Sequence, residues 1–218
     1  RLIETLIGGL LSAGWDVAQA AAPAPAAAPP AALPAAQGMI IERTLNRISF
    51  NSDGSGTREA TAAFRIPSDS AVQALAVLTF PYVASLQSVT VVYVRVQQPD
   101  GTVVVTPAAN VEDMPEPVSS AAPMYSDIRE KHVVVRGLTV GSLLEYDVRT
   151  QMLKSELPGQ FWADYDFPTA FIAKDEELDI SVPSGTAINL ASPGLTPQVS
   201  HDGNRTTYVW KTSNAAPA

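Results

Sequence analysis

Residues 125–146 read Y-S-D-I-R-E-K-H-V-V-V-R-G-L-T-V-G-S-L-L-E-Y. A charged, strand-like run comes first, a glycine-bounded turn follows, and a second alternating run ends in Glu145-Tyr146. Alternate residues of a strand share a face, so Asp127, Arg129 and Lys131 project together. Glu145, Asp147 and Arg149 do the same on the returning run. A hairpin pairing Lys131 with Glu145 sets Arg129 against Asp147 and Asp127 against Arg149, every pair opposite in sign. Such pairs contribute roughly 0.2–1 kcal/mol each and resist a slip of register, which would turn every side chain to the other face. The expected role is therefore a register-pinning charge ladder. The alternative is an interaction surface made of Asp127, Arg129, Lys131, Glu145 and Tyr146, for a ligand or a neighbouring domain.

The same texture extends in both directions. Ile41 to Phe50 and Thr57 to Ile66 flank Asp53-Gly54-Ser55-Gly56, a hairpin signal. Ser68 to Ala76 reads as a short helix with a serine N-cap. Val89 to Gln97 is strand-like, and Pro99-Asp100-Gly101-Thr102 turns it into Val103 to Thr106. Ala108 to Pro123 carries Pro115, Pro117 and Pro123 and reads as a long surface loop. Further strands are expected at His132 to Val135, Leu143 to Gln151, Gln160 to Phe167, Glu177 to Val182, Ala187 to Leu190 and Thr206 to Lys211. Many short strands with frequent turn residues predict an all-β fold. The expectation is a two-layer antiparallel β-sandwich over 39–212, with at most one short helix and a linker beginning at 213–218.

Ahead of that domain the composition differs. Residues 21–38 are almost wholly Ala and Pro and read as a semi-rigid linker that cannot build a core. Residues 1–20 hold the apolar run L-I-G-G-L-L-S-A-G-W and the small-x-small triplet Ala18-Gln19-Ala20, the form of a cropped signal peptide. An amphipathic helix or an unstructured leader is the other reading, since Glu4 and Asp16 are poor signal-peptide residues. The apolar run is too short to span a membrane.

Composition excludes several chemistries. The net charge of −8 argues against a nucleic-acid partner, which needs clustered Lys and Arg. The chain has no cysteine, so it offers no disulfide, thiolate metal ligand or cysteine nucleophile. Its two histidines, His132 and His201, lie in different segments, which excludes a multi-His zinc site. No cofactor, metal or catalytic residue is expected.

The remaining candidates are read mainly as structural. Glu130 and His132 share a face and resemble an acid–base pair, but no nucleophile accompanies them, and a hydrogen-bonded, partly buried histidine is the expectation. Asp164 and Asp166 are read as the solvent side of an amphipathic strand rather than a glycosidase or calcium pair. Tyr165 and Trp210 are expected in the core, while Trp162 stays open between core and a sugar-stacking surface.

The spacing Asp127, Arg129, Lys131, Leu138, Gly141, Glu145, Tyr146 resembles the hallmark of a bacterial extracytoplasmic all-β domain that precedes transglutaminase-like cysteine-hydrolase cores. Asn51 to Gly56, Pro99 to Thr102, Pro158 to Trp162 and Ser192 to Leu195 extend the resemblance in order along the chain. It implies a periplasmic or secreted, non-catalytic accessory domain whose partner is a transglutaminase-like core in cis. A freestanding module binding envelope protein, polysaccharide or peptide is the alternative. Because residues 21–37 lack apolar periodicity, a chain starting at Gly38 should keep an unchanged thermal midpoint in calorimetry. A large drop would show that the Ala/Pro segment packs on the domain.

Overall fold

The structure, a computed structural model, describes residues 38–116, 127–157 and 159–217. The leader expected over 1–20, and the Ala/Pro segment up to residue 37, lie outside the described residues. The first hairpin forms as its sequence predicts, from β1 (Ile40–Phe50) and β2 (Gly56–Arg65). Its turn closes because Asp53 Oδ1 accepts the Ser55 backbone N–H at 2.9 Å and Gly54 supplies the positive φ of 83°. Helix α1 (Asp69–Ala74) is capped by Ser68, whose hydroxyl accepts the Ala71 N–H at 3.3 Å. The chain then runs through β3 (Val77–Val83), β4 (Gln87–Gln97), β5 (Val103–Val105), β6 (Val111–Pro115), β7 (Ile128–Val134) and β8 (Leu143–Met152). It closes with β9 (Ile172–Pro183), β10 (Gln198–Asp202) and β11 (Arg205–Asn214).

Two sheets result. The larger has the order β10-β11-β9-β1-β2-β8-β4-β5, and the smaller β3-β7-β6. Pairing is antiparallel except between β1 and β9, which run parallel. The all-β expectation holds, with that one parallel pair as its departure. The small sheet lays Leu78, Phe80, Tyr82 and Val133 on Phe64, Val94, Leu144 and Tyr146 of the large one, forming the main core. A second core, Ile48, Phe50, Leu178, Val182 and Trp210, lies on the other half of the large sheet. Segments without strand structure cover it, through Phe161, Tyr165 and Phe167 on one side and Ile188 and Leu195 on the other.

Several sequence expectations are corrected. The hairpin expected to pair Lys131 with Glu145 does not form, because β7 belongs to the small sheet and β8 to the large. Each run has an apolar face, and the two faces are buried against each other across the core instead of side by side. The connection crosses between layers, with Val135 N–H bonded to Ala76 C=O on one side and Gly141 N–H to Ile66 C=O on the other. The segment 160–167 and the segment 187–190 are not strands, since their apolar residues pack on the second core without any backbone ladder. Conversely, β6 lies inside the expected loop, and Pro115 is tolerated there because β6 is an edge strand. Finally, the fold continues past Thr212, since Asn214 Nδ2 donates to the Thr169 and Phe171 carbonyls, each at 2.9 Å.

Gly56 sits at the seam of β1, β2 and β8, paired with Phe50 and Met152. A Cβ there would collide with the Ser49 carbonyl and the Met152 side chain. Gly56→Ala should therefore destabilise the domain by about 2–3 kcal/mol in urea unfolding. A cost near zero would show that the hairpin end can yield.

Candidate functional site

The hallmark charges converge on a residue the sequence reading left in a loop. In the small sheet Lys131 is registered between Phe80 and Asp113, and Arg129 between Tyr82 and Pro115. Val133, on the same face, is fully buried in the main core. From it the charges step outward, the Lys131 side chain being 20% and that of Arg129 36% exposed. Asp113 accepts hydrogen bonds from Lys131 Nζ at 2.6 Å, Arg129 Nε at 2.9 Å and the Tyr82 hydroxyl at 2.9 Å. Burial opposes ionisation of this carboxyl most strongly, yet Lys131, Tyr82 and Arg129 together hold it below the usual carboxylate range.

The other predicted positions separate. Asp127 accepts the Ser85 N–H at 2.8 Å and so fastens the turn between β3 and β4; that hydrogen bond lowers its pKa. Glu145 is held at two oxygens by Arg95, at 2.8 and 3.2 Å, on the outer face of the large sheet. Asp147 meets Arg149 at 3.7 Å, and its Oδ1 has no hydrogen-bond partner among the described residues. Burial, then the nearby Glu59, raises its pKa. Tyr146 is not a surface residue. It is buried between Phe64 and Phe80, with ring centroids 5.9 and 5.3 Å away, and burial drives its pKa upward. Glu130 and His132 pair as expected, at 2.6 Å. Asp164 and Asp166 are exposed.

Trp162 is 38% exposed and borders a shallow cleft of about 50 Å³, lined also by Phe50, Leu86, Met152, Lys154 and Phe161. Phe161 stacks on Phe50 at 4.3 Å, which holds the neighbouring Trp162 at the surface. Among the described residues no group of three or more His, Asp or Glu is placed to hold a metal ion.

A polar seam between the two cores escaped the sequence reading. Glu176 is only 1% exposed and forms no ion pair among the described residues. Its Oε1 accepts from the Thr44 hydroxyl at 3.5 Å, and Thr44 also touches the Tyr165 hydroxyl. Asn46 Nδ2 donates to the Tyr165 oxygen at 3.1 Å, while Arg58 donates to Asn46 Oδ1 at 3.4 Å. Burial pushes the Glu176 pKa up to about 7, against the smaller, lowering effect of Thr44. The available signal was the i, i+2 register of Glu176 with Leu178 and Val182. Starting the strand at Glu177 hid it.

Comparison with known proteins places this arrangement in a family. The profile of a domain of unknown function with solved structures, DUF3857, matches residues 52–218. The chain belongs to the DUF3857 family. This DUF3857 domain is similar to a candidate protease from Parabacteroides distasonis, with a TM-score of 0.72 and 19% identity over 83% of the chain. It covers 36% of that protein, so the fold spans about a third of its length. Weaker likenesses are a candidate nutrient-binding protein from Legionella pneumophila, at TM-score 0.41, 10% identity, 86% of this chain and 66% of that one. An M1 zinc metallopeptidase from Deinococcus radiodurans gives TM-score 0.36 and 11% identity, over 80% of this chain and 39% of that one. No curated protein matches the sequence.

Asp113 is the hub of the cluster it forms with Tyr82, Arg129 and Lys131. Asp113→Ala should cost about 1–2 kcal/mol, because it leaves two cations and a tyrosine hydroxyl without their common acceptor. Arg129→Ala, at a more exposed site, should cost clearly less than Asp113→Ala. The Asp113 contribution is present above the ordinary carboxylate pKa and is lost as pH falls through its lowered folded value. Equal losses for both variants in urea unfolding would remove Asp113 from the centre of the cluster.

Proposed function

We propose that this DUF3857 domain is a non-catalytic accessory domain of an extracytoplasmic protein whose transglutaminase-like cysteine-hydrolase core lies elsewhere in the polypeptide. The observation that carries the reading is the share of the Parabacteroides distasonis candidate protease that this fold occupies: a domain of similar fold makes up about a third of that longer protein. The hallmark supports it as well. Asp127, Arg129, Lys131, Glu145 and Tyr146 are engaged in fixing a turn, bridging strands and filling the core. The absence of cysteine removes the nucleophile such a core uses. The β1 start and the β11 end lie together, with Ile40 beside Ile172 and Asn214 beside Ala173. A domain joined to either end meets the same end of the large sheet.

A second reading has one observation in its favour. Trp162 stands exposed beside an apolar cleft, an arrangement that suits stacking of a sugar or an aromatic peptide side chain in a freestanding envelope module.

The two separate in one experiment. The chain is assayed for turnover of glutamine peptides and esters, then titrated calorimetrically with a transglutaminase-like core taken from a longer protein carrying this domain. The proposal expects no turnover and micromolar or tighter association with the core. Turnover, or binding of peptidoglycan fragments that Trp162→Ala abolishes while the core is ignored, would replace it.

A further inference from the structure

We propose that the segment 160–167 is a strap over the second core, and that its closure depends on Glu176 beneath its edge remaining protonated. The strap has no backbone ladder of its own. Side chains hold it down: Phe161 stacked on Phe50 at 4.3 Å, Tyr165 hydrogen-bonded to Asn46 at 3.1 Å, and Phe167 packed on the same core. A bonded ladder opens with its sheet, whereas a segment held by a few side chains can open alone. Under it lie the apolar Ile48 and Leu178.

Glu176 sits where the strap meets the sheet. Each neighbouring element presents a group to it or to its partners. Thr44 and Asn46 come from β1, Arg58 from β2, Tyr146 from β8, Thr212 from β11 and Tyr165 from the strap. The single cation among them, Arg58, bonds Asn46 and makes no ion pair with Glu176. A carboxylate here would therefore be buried without a counter-ion, which is unfavourable unless water is admitted. Lifting the strap admits it.

The sign follows from the folded pKa of about 7 against the ordinary 4.5. The closed state binds a proton that the open state releases, so opening becomes easier as pH rises through that interval and levels off above it. From pH 6 to pH 8 the open fraction should rise about tenfold. The physiological consequence is an apolar floor, Ile48 and Leu178, displayed in mildly alkaline surroundings and concealed in acidic ones.

The cysteine-free chain makes a direct test possible. In Leu178→Cys a single thiol lies under the strap, and in Val133→Cys one lies in the main core. Labelling by a methanethiosulfonate reagent at pH 6 and 8, corrected for thiolate fraction with a free cysteine peptide, reads opening at each place. Leu178→Cys should label about tenfold faster at pH 8, Val133→Cys should not change, and adding Glu176→Gln should abolish the pH dependence. If Leu178→Cys does not fold, Ile48→Cys reads the same floor. Acceleration at both sites together would make the effect global unfolding, and pH dependence surviving Glu176→Gln would clear Glu176; either result overturns the proposal.

Discussion

A wide sheet must bury one face, and a narrow one cannot cover it. Strands in a sheet are spaced by about 4.8 Å, so the three strands of the small sheet cover less than half the breadth of the eight below. The covered half is a conventional sandwich, where Phe80 meets Tyr146 edge-on across the layers. The other half has to be covered by chain that has no sheet of its own. That constraint explains why the cover is aromatic: Phe161, Tyr165 and Phe167 bury large areas per residue, which a cover without a ladder needs. It also explains the seam. Where the two covers meet neither is complete, and Thr44, Asn46 and Glu176 fill the boundary with hydrogen-bonded polar groups rather than packed hydrocarbon.

The charged hallmark follows a related logic. Arg129 and Lys131 lie on the inner face of the small sheet, registered opposite the core residues Tyr82 and Phe80 of β3. Their aliphatic stems extend the core outward while their heads reach a common acceptor, Asp113, on the next strand. Lys131 also lies 5.8 Å from the Tyr82 ring centre, so the tyrosine serves the cluster with both its hydroxyl and its face.

Much of the fold was legible in the sequence, for identifiable reasons. The hairpin around Asp53-Gly54 and the helix behind Ser68 are local, and their turn and capping residues determine them. Of the apolar face expected opposite Asp164 and Asp166, namely Phe161, Ala163, Tyr165 and Phe167, all but the exposed Ala163 pack on the second core; alternation records which side is buried, not whether a backbone ladder exists. Strand partners beyond the tight hairpins were not legible. Opposite charges at matching period make the Lys131–Glu145 hairpin attractive, and only the burial of Val133, Leu144 and Tyr146 against one another decides for two layers. Asp113 was hidden because Pro115, Pro117 and Pro123 after it suggested a loop, and Glu176 because, within the acidic run 175–177 and just ahead of the strand expected from Glu177, it read as facing water.

A cross-strand charge ladder does exist, built from other residues. On the outer face Asp179 pairs with Arg47 at 3.4 Å, Arg47 is registered against Glu59, and Glu59 bonds Arg149 at 2.9 Å, so signs alternate across β9, β1, β2 and β8. Each contact is solvent-facing and contributes at most about 1 kcal/mol, so the ladder adds little to stability. Its larger effect is on what the sheet rejects: a one-residue slip of any of these strands would drive that strand's charge toward the core. The edges of the small sheet are guarded in the same spirit, by Pro81 in β3 and Pro115 in β6. With the broad face charged and those edges blocked, indiscriminate association is disfavoured there. Apolar material remains for specific contact on the half that the small sheet leaves uncovered, where Trp162 and the floor beneath the strap lie.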